Sequence, residues 1–431
     1  MADKNVQKVT EGGGTEPRRV EPMLPGGFRD YGPREAISRA QMLSTISNTF
    51  ELFGFDPMET SSVQRKDVLF GGEEESEKIV FEVKGSRDSE SDTALRFDLT
   101  VPFARFMAAN PEIPKPFKRY QIGNVWRGES PQAGRYREFM QADIDIIGSN
   151  SANADAEVIA TIYKTFTNLG INDFVIKINS RKILNSLPSY ADFPKEKLWD
   201  VLRIIDKKDK IGDDVMREEL TKEIGEAATE RIKSFLNGNV AEDELSDLRS
   251  ILETMGIDKE KIVIDYTIVR GLAYYTGMVL ETFLTKAPEM GSIASGGRYD
   301  ELVVPFTGQM LPAVGASIGV DRLFAALEKL GAIEKKVTKT QALVLNLSAE
   351  LMSDCLEIVK QLRDAKVNTS FYVGDDMSFQ AQLSYAVKKE IPFVVIYGET
   401  EKAKGIVAVK NLATREQTEV KKEHLADFFQ K

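Results

Sequence analysis

A single cysteine and a single histidine in 431 residues remove most of the usual catalytic chemistry. Cys355 alone cannot close an internal disulfide, and together with His424 it cannot build a common Cys/His zinc site. Cys355 falls in the apolar pattern of a helix, as a buried structural thiol would. His424 lies in a charged tail, so a Ser-His-Asp or Cys-His mechanism is disfavoured. No apolar run nears the roughly 18 residues that a membrane span needs. The opening "MADKNVQKVTEGGGTEPRRVEP" is polar and glycine-rich and lacks the apolar core of a signal peptide. Residues 1–20 are expected to form a disordered lead-in, and the protein is expected in the cytoplasm, with no membrane partner. Any chemistry must run on carboxylates, arginines, amides or a metal held by oxygen.

Positive charge is also in deficit. Lys and Arg total 57 against 67 Asp and Glu, a net of −10. That balance argues against general coating of nucleic acid and still allows a local site. One basic island runs from Lys115 to Arg137: Lys115, Lys118, Arg119, Arg127, Arg135 and Arg137 stand against one acid, Glu129. A charge cluster is ordinarily a solvated surface; the arginine bias and the Gly-Arg spacing weigh against that reading here. Hydrophobic residues at 42% and charged residues at 29% fit a globular chain, and the length predicts two to three domains.

The patterning divides the chain. Pro33 suits the first turn of a helix, and Ile37, Met42, Ile46, Phe50 and Phe53 form an apolar stripe at helical spacing. "FDPMETSSV" reads as a strand with Pro57 at its edge, and "TALRFDLTVPFARFMAAN" as strand, turn and helix. "FKRYQIGNVWRGE" and "REFMQADIDIIG" read as the two arms of an antiparallel hairpin. Residues 151–170 form an amphipathic helix, and "DFVIKINS" is a strand. From about 182 to 261 the pattern is helical and highly charged, an inserted module. Strands return at "KIVIDYTIV", "MVLETFL" and "GSIASGG", and "VGASIGVDRLFAALEKLG" is a strand end followed by a helix. The core so defined is 21–333. A charged linker, 334–340, leads to a unit at 341–431 in which strands and helices alternate, as in an α/β domain with a partly parallel sheet. The fold class expected is an α+β core with a mostly antiparallel sheet flanked by helices, a helical insertion, and a C-terminal α/β domain.

The hairpin carries the chemistry. Phe139, Gln141, Asp143 and Asp145 alternate with Met140, Ala142, Ile144 and Ile146, which sends the two sets to opposite faces. The apolar set is a core face. The polar set lacks the Lys and Glu of a solvent face. With Arg127 at the end of the partner strand it offers an arginine, an aromatic plate, an amide and a carboxylate, a site for an anion, a ring and an amine; a structural salt bridge is the alternative. In "SIASGGRYDEL", Gly296 and Gly297 would let a ligand approach the backbone closely, as would many tight turns. In "VRGLAYYTG", Arg270 precedes Tyr274 and Tyr275, which could wall a small polar pocket or sit in the core. In "GASIGVDRL", Arg322 sits just inside a helix, aimed at phosphate or at an intrahelical partner.

"RGESPQAGRYREFMQADIDIIG" resembles the second signature motif of class II aminoacyl-tRNA synthetases in their histidyl form. "LRFDLTVPFARF", "VRGLAYYTG", "SIASGGRYDEL" and "PAVGASIGVDRL" resemble that family's other motifs in the same order. The C-terminal "FYVGDDMSFQAQLSYAVKKEIPFVVIYGETEKAKGIVAVKNLATREQTEV" resembles its anticodon-binding domain. The resemblance spans roughly residues 20 to 425. It implies ATP-dependent activation of histidine and its transfer to the 3' end of tRNA(His), with Mg²⁺ accompanying ATP. It implies that Arg127 contacts the α-phosphate, Phe139 stacks on adenine and Arg322 holds the γ-phosphate end. Asp98, Thr100, Gln141 and Asp145 match residues around the substrate's amino group. Arg270 matches the arginine opposite the first, Tyr274 and Tyr275 the pocket that reads the imidazole, and Gly296 and Gly297 lie in the same histidine site. Gln132, Arg135 and Arg137 would meet the acceptor end of the tRNA. The resemblance further implies a homodimer through Arg34–Val63, where the apolar stripe needs burial in one subunit or between two. Two positions depart from the pattern: Ala273 stands where the family usually has Asp, and Ser130 where it often has Arg. The alternative implied function is that of a synthetase-like regulatory subunit of ATP phosphoribosyltransferase, which usually lacks the domain after Thr340.

Overall fold

The computed structural model describes residues 20–70, 80–86, 90–129, 136–238, 245–269, 271, 274–333 and 336–430. The strands among them, in chain order, begin with β1 (Asp56–Pro57), β2 (Val63–Arg65), β3 (Glu82–Val83), β4 (Thr93–Leu95), β5 (Phe117–Trp126) and β6 (Glu138–Ile147). They continue with β7 (Phe174–Ser180), β8 (Ile262–Ile264), β9 (Met278–Leu284), β10 (Ser292–Arg298) and β11 (Ala313–Gly319). The last five are β12 (Ala342–Val344), β13 (Thr369–Phe371), β14 (Phe393–Ile396), β15 (Ile406–Asn411) and β16 (Gln417–Lys421).

Eight of these strands form one mixed sheet in the order β1-β5-β6-β11-β10-β9-β7-β8. The outermost pairs, β1–β5 and β7–β8, are parallel, and the pairs between them are antiparallel. β2, β4 and β3 make a small separate sheet. The strand expected over "FDPMETSSV" is thus two short pieces in different sheets. Pro57 sits in an edge strand, where a missing N–H breaks no ladder.

One face of the large sheet is oily. Ala142, Ile144 and Ile146 of β6 join Val314, Ala316 and Ile318 of β11 in a core with the helices Pro33–Leu52, Ala152–Asn168 and Val320–Lys329. The first helix starts at Pro33, whose absent N–H would lack an intrahelical partner anyway. Its Met42, Ile46 and Phe50 are buried in this same core. The stripe therefore finds its burial inside the subunit, and it carries no argument for a second copy. The inserted module is a set of short helices between Arg181 and Thr254, and its apolar faces, such as Val201, Leu220, Ile232 and Leu248, extend the same core.

The C-terminal unit is a five-stranded sheet, β13-β12-β14-β15-β16, parallel on its first side and antiparallel on its second. Helices Met352–Asp364 and Phe379–Lys388 pack on it. Cys355 is buried there, and burial pushes its thiol up. His424 is exposed, with Nδ1 3.1 Å from Asp427 Oδ2. No described helix is long and apolar enough to cross a membrane.

Candidate active site

The other face of the large sheet is the floor of a cavity of about 500 Å³. Register explains how the floor is built. β6 lies between β5 and β11, so each of its polar residues has a neighbour on both sides. Asp145 sits between Arg119 and Gly315, Asp143 between Gln121 and Ser317, and Gln141 between Gly123 and Gly319. On the β11 side those neighbours are small, which leaves room above the carboxylates. A Cβ at Gly315 would collide with the Asp145 carboxyl, so this position has space for no larger residue.

Of the residues singled out from sequence, Asp98, Thr100, Arg127, Phe139 and Gln141 line the cavity, as do Asp145, Tyr274, Tyr275, Gly296 and Arg322. The Arg127 guanidinium lies 5.1 Å from the centroid of the Phe139 ring, within cation–π range, and its Nε donates to Phe97 O at 3.1 Å. Arg322 Nη1 donates to Ser292 O at 2.6 Å, a partner on β10 rather than within its own helix. Asp98 Oδ1 accepts from Val101 N at 3.1 Å at the start of the helix Thr100–Ala109. Tyr274 lies edge-on to Tyr275 at 5.2 Å and against Tyr299 at 5.3 Å.

Two residues are placed elsewhere. Gly297 is not part of the cavity wall. A Cβ there would lie 2.5 Å from Met278 O and 2.8 Å from Tyr275 Cδ1, so it is the neighbouring β9 backbone and the Tyr275 ring, not a ligand, that need the missing side chain. Arg137 lies outside the cavity and is half-buried; its Nε donates to Glu129 O at 3.2 Å. Gln132, Arg135 and Arg270 lie outside the described residues, as do Ser130 and Ala273.

The electrostatics centre on Arg119. It is wholly buried, pairs with Asp145 Oδ2 at 2.6 Å, and stacks over Phe103 at 4.4 Å. Tyr299 donates its hydroxyl to the other Asp145 oxygen. Burial pushes the Asp145 carboxyl up, and Arg119 pulls it back. Asp98 is also raised, first by burial. Asp143 is pushed up to about 7, first by burial and then by Asp145 and Asp98, with Arg119 and Ser317 acting the other way. Gln141 Oε1 and Asp143 Oδ1 are buried with no hydrogen-bond partner among the described residues, while the buried Tyr274 hydroxyl faces Thr100. Buried polar atoms are nearly always satisfied, so two such atoms on one cavity floor mark where ligand groups would bond.

The sequence left four residues of this arrangement unassigned. Asp143 stood in the quoted alternation, and the same period that places Asp145 places it on the floor. Arg119 was counted only as part of a basic island; the hairpin register, which sets it opposite Asp145, is the signal that finds it. Tyr299 follows the Gly-Gly-Arg run, and nothing local marks it. Asp321 Oδ1 takes Arg39 Nη1 at 2.6 Å and the Tyr31 hydroxyl, while its Oδ2 takes Met140 N at 2.6 Å. It thereby ties the first helix to β6 beside Phe139. Arg298, next to the glycines, pairs away from the cavity with Asp155 at 2.7 Å.

Comparison with known proteins finds relatives along most of the chain. A family model described as histidyl-tRNA synthetase matches residues 27–323, and one described as an anticodon binding domain matches 341–431. A histidine–tRNA ligase of Wolinella succinogenes is 41% identical over 427 residues, covering 92% of this chain and 95% of its own. The crystal structure of histidyl-tRNA synthetase from Nostoc sp. PCC 7120 superposes with a TM-score of 0.84 at 33% identity, over 96% of this chain and 99% of that one. A Bacillus halodurans protein described as an ATP phosphoribosyltransferase regulatory subunit/histidyl-tRNA synthetase has a TM-score of 0.72 at 22% identity, over 85% of this chain and 97% of its own. That last likeness is one of fold alone.

Proposed function

The chain belongs to the histidyl-tRNA synthetase family, and from that premise we infer how its cavity performs the reaction of a histidine–tRNA ligase. The enzyme uses ATP to activate histidine and charges tRNA with it. In the first step a carboxylate oxygen of histidine attacks the α-phosphorus. The bond to the β-phosphate oxygen breaks, and pyrophosphate leaves with that electron pair. A carboxylate is already a nucleophile at neutral pH, so no general base is required. Positioning and charge neutralisation do the work. In the second step a ribose hydroxyl at the 3' end of tRNA(His) attacks the adenylate carbonyl, and AMP leaves.

The observation that carries this reading is the convergence of an arginine over an aromatic ring at one end of the cavity with acids and tyrosines at the other. Phe139 stacks on adenine and Arg127 meets the α-phosphate. Arg322 takes the γ-phosphate end, and Arg270 opposes Arg127 across the reacting phosphate. Asp98, Thr100, Gln141 and Asp145 hold the amino group. Tyr274 and Tyr275 enclose the imidazole, with Gly296 in the wall and Gly297 seating Tyr275. Gln132, Arg135 and Arg137 follow the acceptor end of the tRNA. Mg²⁺ enters with ATP. Magnesium characteristically keeps several waters and takes one or two carboxylates beside phosphate oxygens. The cavity-lining Glu129 and Glu281 suit that need, and the described residues hold no cluster of three metal-ligating side chains that would demand a dedicated cage. When bound, the ion would neutralise charge developing on the phosphates. The resemblance supports a homodimer working in the cytoplasm; light scattering at micromolar concentration checks the dimer, and a monomer would reject it.

ATP–pyrophosphate exchange with each amino acid in turn tests the reading. Histidine alone should support exchange. No exchange with any amino acid, together with binding to a phosphoribosyltransferase, would favour the regulatory alternative. The matched C-terminal domain, which such subunits usually lack, supports the ligase.

A further inference from the structure

We propose that Asp321 is a positioning residue of the nucleotide site: by holding the Met140 backbone it fixes the Phe139 ring that receives adenine. The proposal rests on the ligase reading above, which gives Phe139 to ATP, and it names the group that keeps that ring in place.

Strand register creates the requirement. Gly148 N, one residue past β6, donates to Pro312 O at the entry to β11. Backbone groups along an antiparallel strand turn to alternate sides, so Met140 turns its N–H to the same side as Gly148, toward β11. The register along β6 is unbroken from Gln141 to Ile147, and β11 ends at Gly319, opposite Gln141. The ladder therefore stops one residue short of Met140. A buried backbone N–H needs an acceptor, and Asp321, two residues beyond the end of β11, supplies it: Oδ2 takes Met140 N at 2.6 Å. Phe139 is the second residue of β6. Its strand end is thus held by β5 on one side and by a single side chain on the other.

That side chain is itself gripped. Asp321 Oδ1 takes Arg39 Nη1 at 2.6 Å and the Tyr31 hydroxyl, and Arg39 stacks over the Tyr31 ring at 4.1 Å. Burial pushes the Tyr31 hydroxyl up and its bond to Asp321 adds to this, so it remains a donor at neutral pH. An acid in the first turn of a helix is ordinarily explained by the helix dipole, and Asp321 stands in the first turn of Val320–Lys329. Here, however, both oxygens are taken by groups outside that helix. Arg39 and Asp321 are both buried, and a buried ion pair is a poor source of net stability compared with apolar side chains. What it does supply is a fixed direction for the second carboxylate oxygen.

The same cluster reaches another part of the cavity wall. Arg29 lies 4.7 Å from the centroid of the Tyr31 ring, and its Nη1 donates to the hydroxyl of the cavity-lining Tyr136 at 3.1 Å. All of this stands at the Phe139 and Arg127 end. Tyr274 and Tyr275 belong to the loop before β9 and pack on each other and on Tyr299. Loss of the Asp321 bond should therefore disturb adenine and spare histidine. A misplacement of roughly 1 Å can cost about a hundredfold in rate.

The test is pyrophosphate exchange and adenosine inhibition with Asp321→Val, which is branched, of similar size and without an acceptor. Wild-type protein must first show histidine-dependent exchange; if it does not, the ligase reading fails and this proposal is not what failed. Given that exchange, D321V should raise KM for ATP at least tenfold and weaken inhibition by adenosine to the same degree. KM for histidine and kcat should stay within threefold of wild type. D321N, which keeps one oxygen for Met140 N, should recover most of the loss. A KM for ATP within threefold of wild type would overturn the proposal. So would an equal rise in KM for ATP and histidine, which would mean a general loosening, and so would a failure of D321N to recover, which would place the effect in the lost charge. Phe139→Leu supplies the last check: in that background D321V should weaken adenosine by less than threefold more. A further tenfold loss would show that Asp321 acts on the nucleotide by a route other than the ring, and would overturn the assignment. If D321V does not fold, R39M/D321V, which leaves no buried charge unpaired, takes its place with the same split expected.

Discussion

The two large sheets of this protein solve different problems. The five-stranded C-terminal sheet buries apolar side chains on both faces, with Ala342 and Val344 on one side and Leu343 and Leu345 on the other. Its buried polar residues are few, Gln382 and Asn346 among them; those two bond to each other through Asn346 N and O, and one side-chain oxygen, Asn346 Oδ1, has no partner among the described residues. The eight-stranded sheet has one such face. On the other it buries Arg119, Asp143 and Asp145 at 2% exposure or less, and several of their polar atoms have no partner among the described residues. A sheet built only for stability would not do this, since apolar replacements of buried ion pairs are often neutral or stabilising. The contrast separates a face made to be filled by its own side chains from a face made to be filled by a ligand, with the stability cost located at the site.

The sharpest way to break that comparison is Arg119→Met. This leaves Asp145 buried beside Asp143 and Asp98 with no guanidinium. Removing one partner of a buried pair typically costs about 3–5 kcal/mol, and urea denaturation should show a loss of that order. The double variant R119M/D145N should recover part of it, because no unpaired charge remains beneath Tyr299. Lys402→Ala in the C-terminal unit removes an ion pair to Asp354 at 2.9 Å that is open to water. It should leave the denaturation midpoint unchanged. Equal effects from Arg119 and Lys402 would erase the distinction between the two sheets.

Deleting 335–431 sharpens the comparison from the other side. All the residues assigned to ATP and histidine precede that cut, so histidine-dependent pyrophosphate exchange should persist if the core stays folded. Charging of tRNA should fall at least tenfold, mostly through KM for tRNA. Lys388, Lys389, Lys402, Lys404 and Lys410 were the cations considered for phosphate contact, which is additive and salt-sensitive. Lys402 and Lys404 are occupied by Asp354 and Glu419. Lys388 and Lys389 are exposed and stand in no such pair among the described residues, which makes them the better variants to follow with salt. A truncated, folded core that charges tRNA as well as the full chain would remove the case for this domain as the anticodon reader.

How much of this was legible in the sequence varies with the range of the interaction. The alternation after Arg137 located the floor, because period two is a local property of one strand. The strand–helix alternation after Thr340 located the second sheet for the same reason, although β16 and the closing helix Leu425–Gln430 went unread among charged residues. Arg119 was misjudged. A basic residue in a basic island looks solvated until its cross-strand neighbour is known, and that neighbour lies 26 positions away. The stripe Met42–Ile46–Phe50 was legible as apolar but not as to partner, because periodicity tells that a face is covered and never by what. Gly297 showed the same limit: the sequence signalled a close approach, and the structure identifies the Met278 carbonyl and the Tyr275 ring as what approaches.

The last and smallest effect concerns pH. Asp143 is pushed up to about 7 in the folded chain from an ordinary 3.8, first by burial. Below about 4 both folded and unfolded chains carry this proton. Between about 4 and 7 the folded chain still holds it and the unfolded chain has released it. The folded state binds more protons there, so the contribution of Asp143 to stability falls as pH rises, and it levels off above about 7. The sign is opposite to that of a salt-bridged surface carboxylate such as Asp354, which Lys402 holds below its usual range and which stabilises more as pH rises. Urea midpoints of the ligand-free protein from pH 5 to 8 should therefore decline relative to those of D143N. Parallel pH profiles for wild type and D143N would mean that Asp143 does not titrate in this window, and that the polar face of the large sheet bears its charges at no cost in stability.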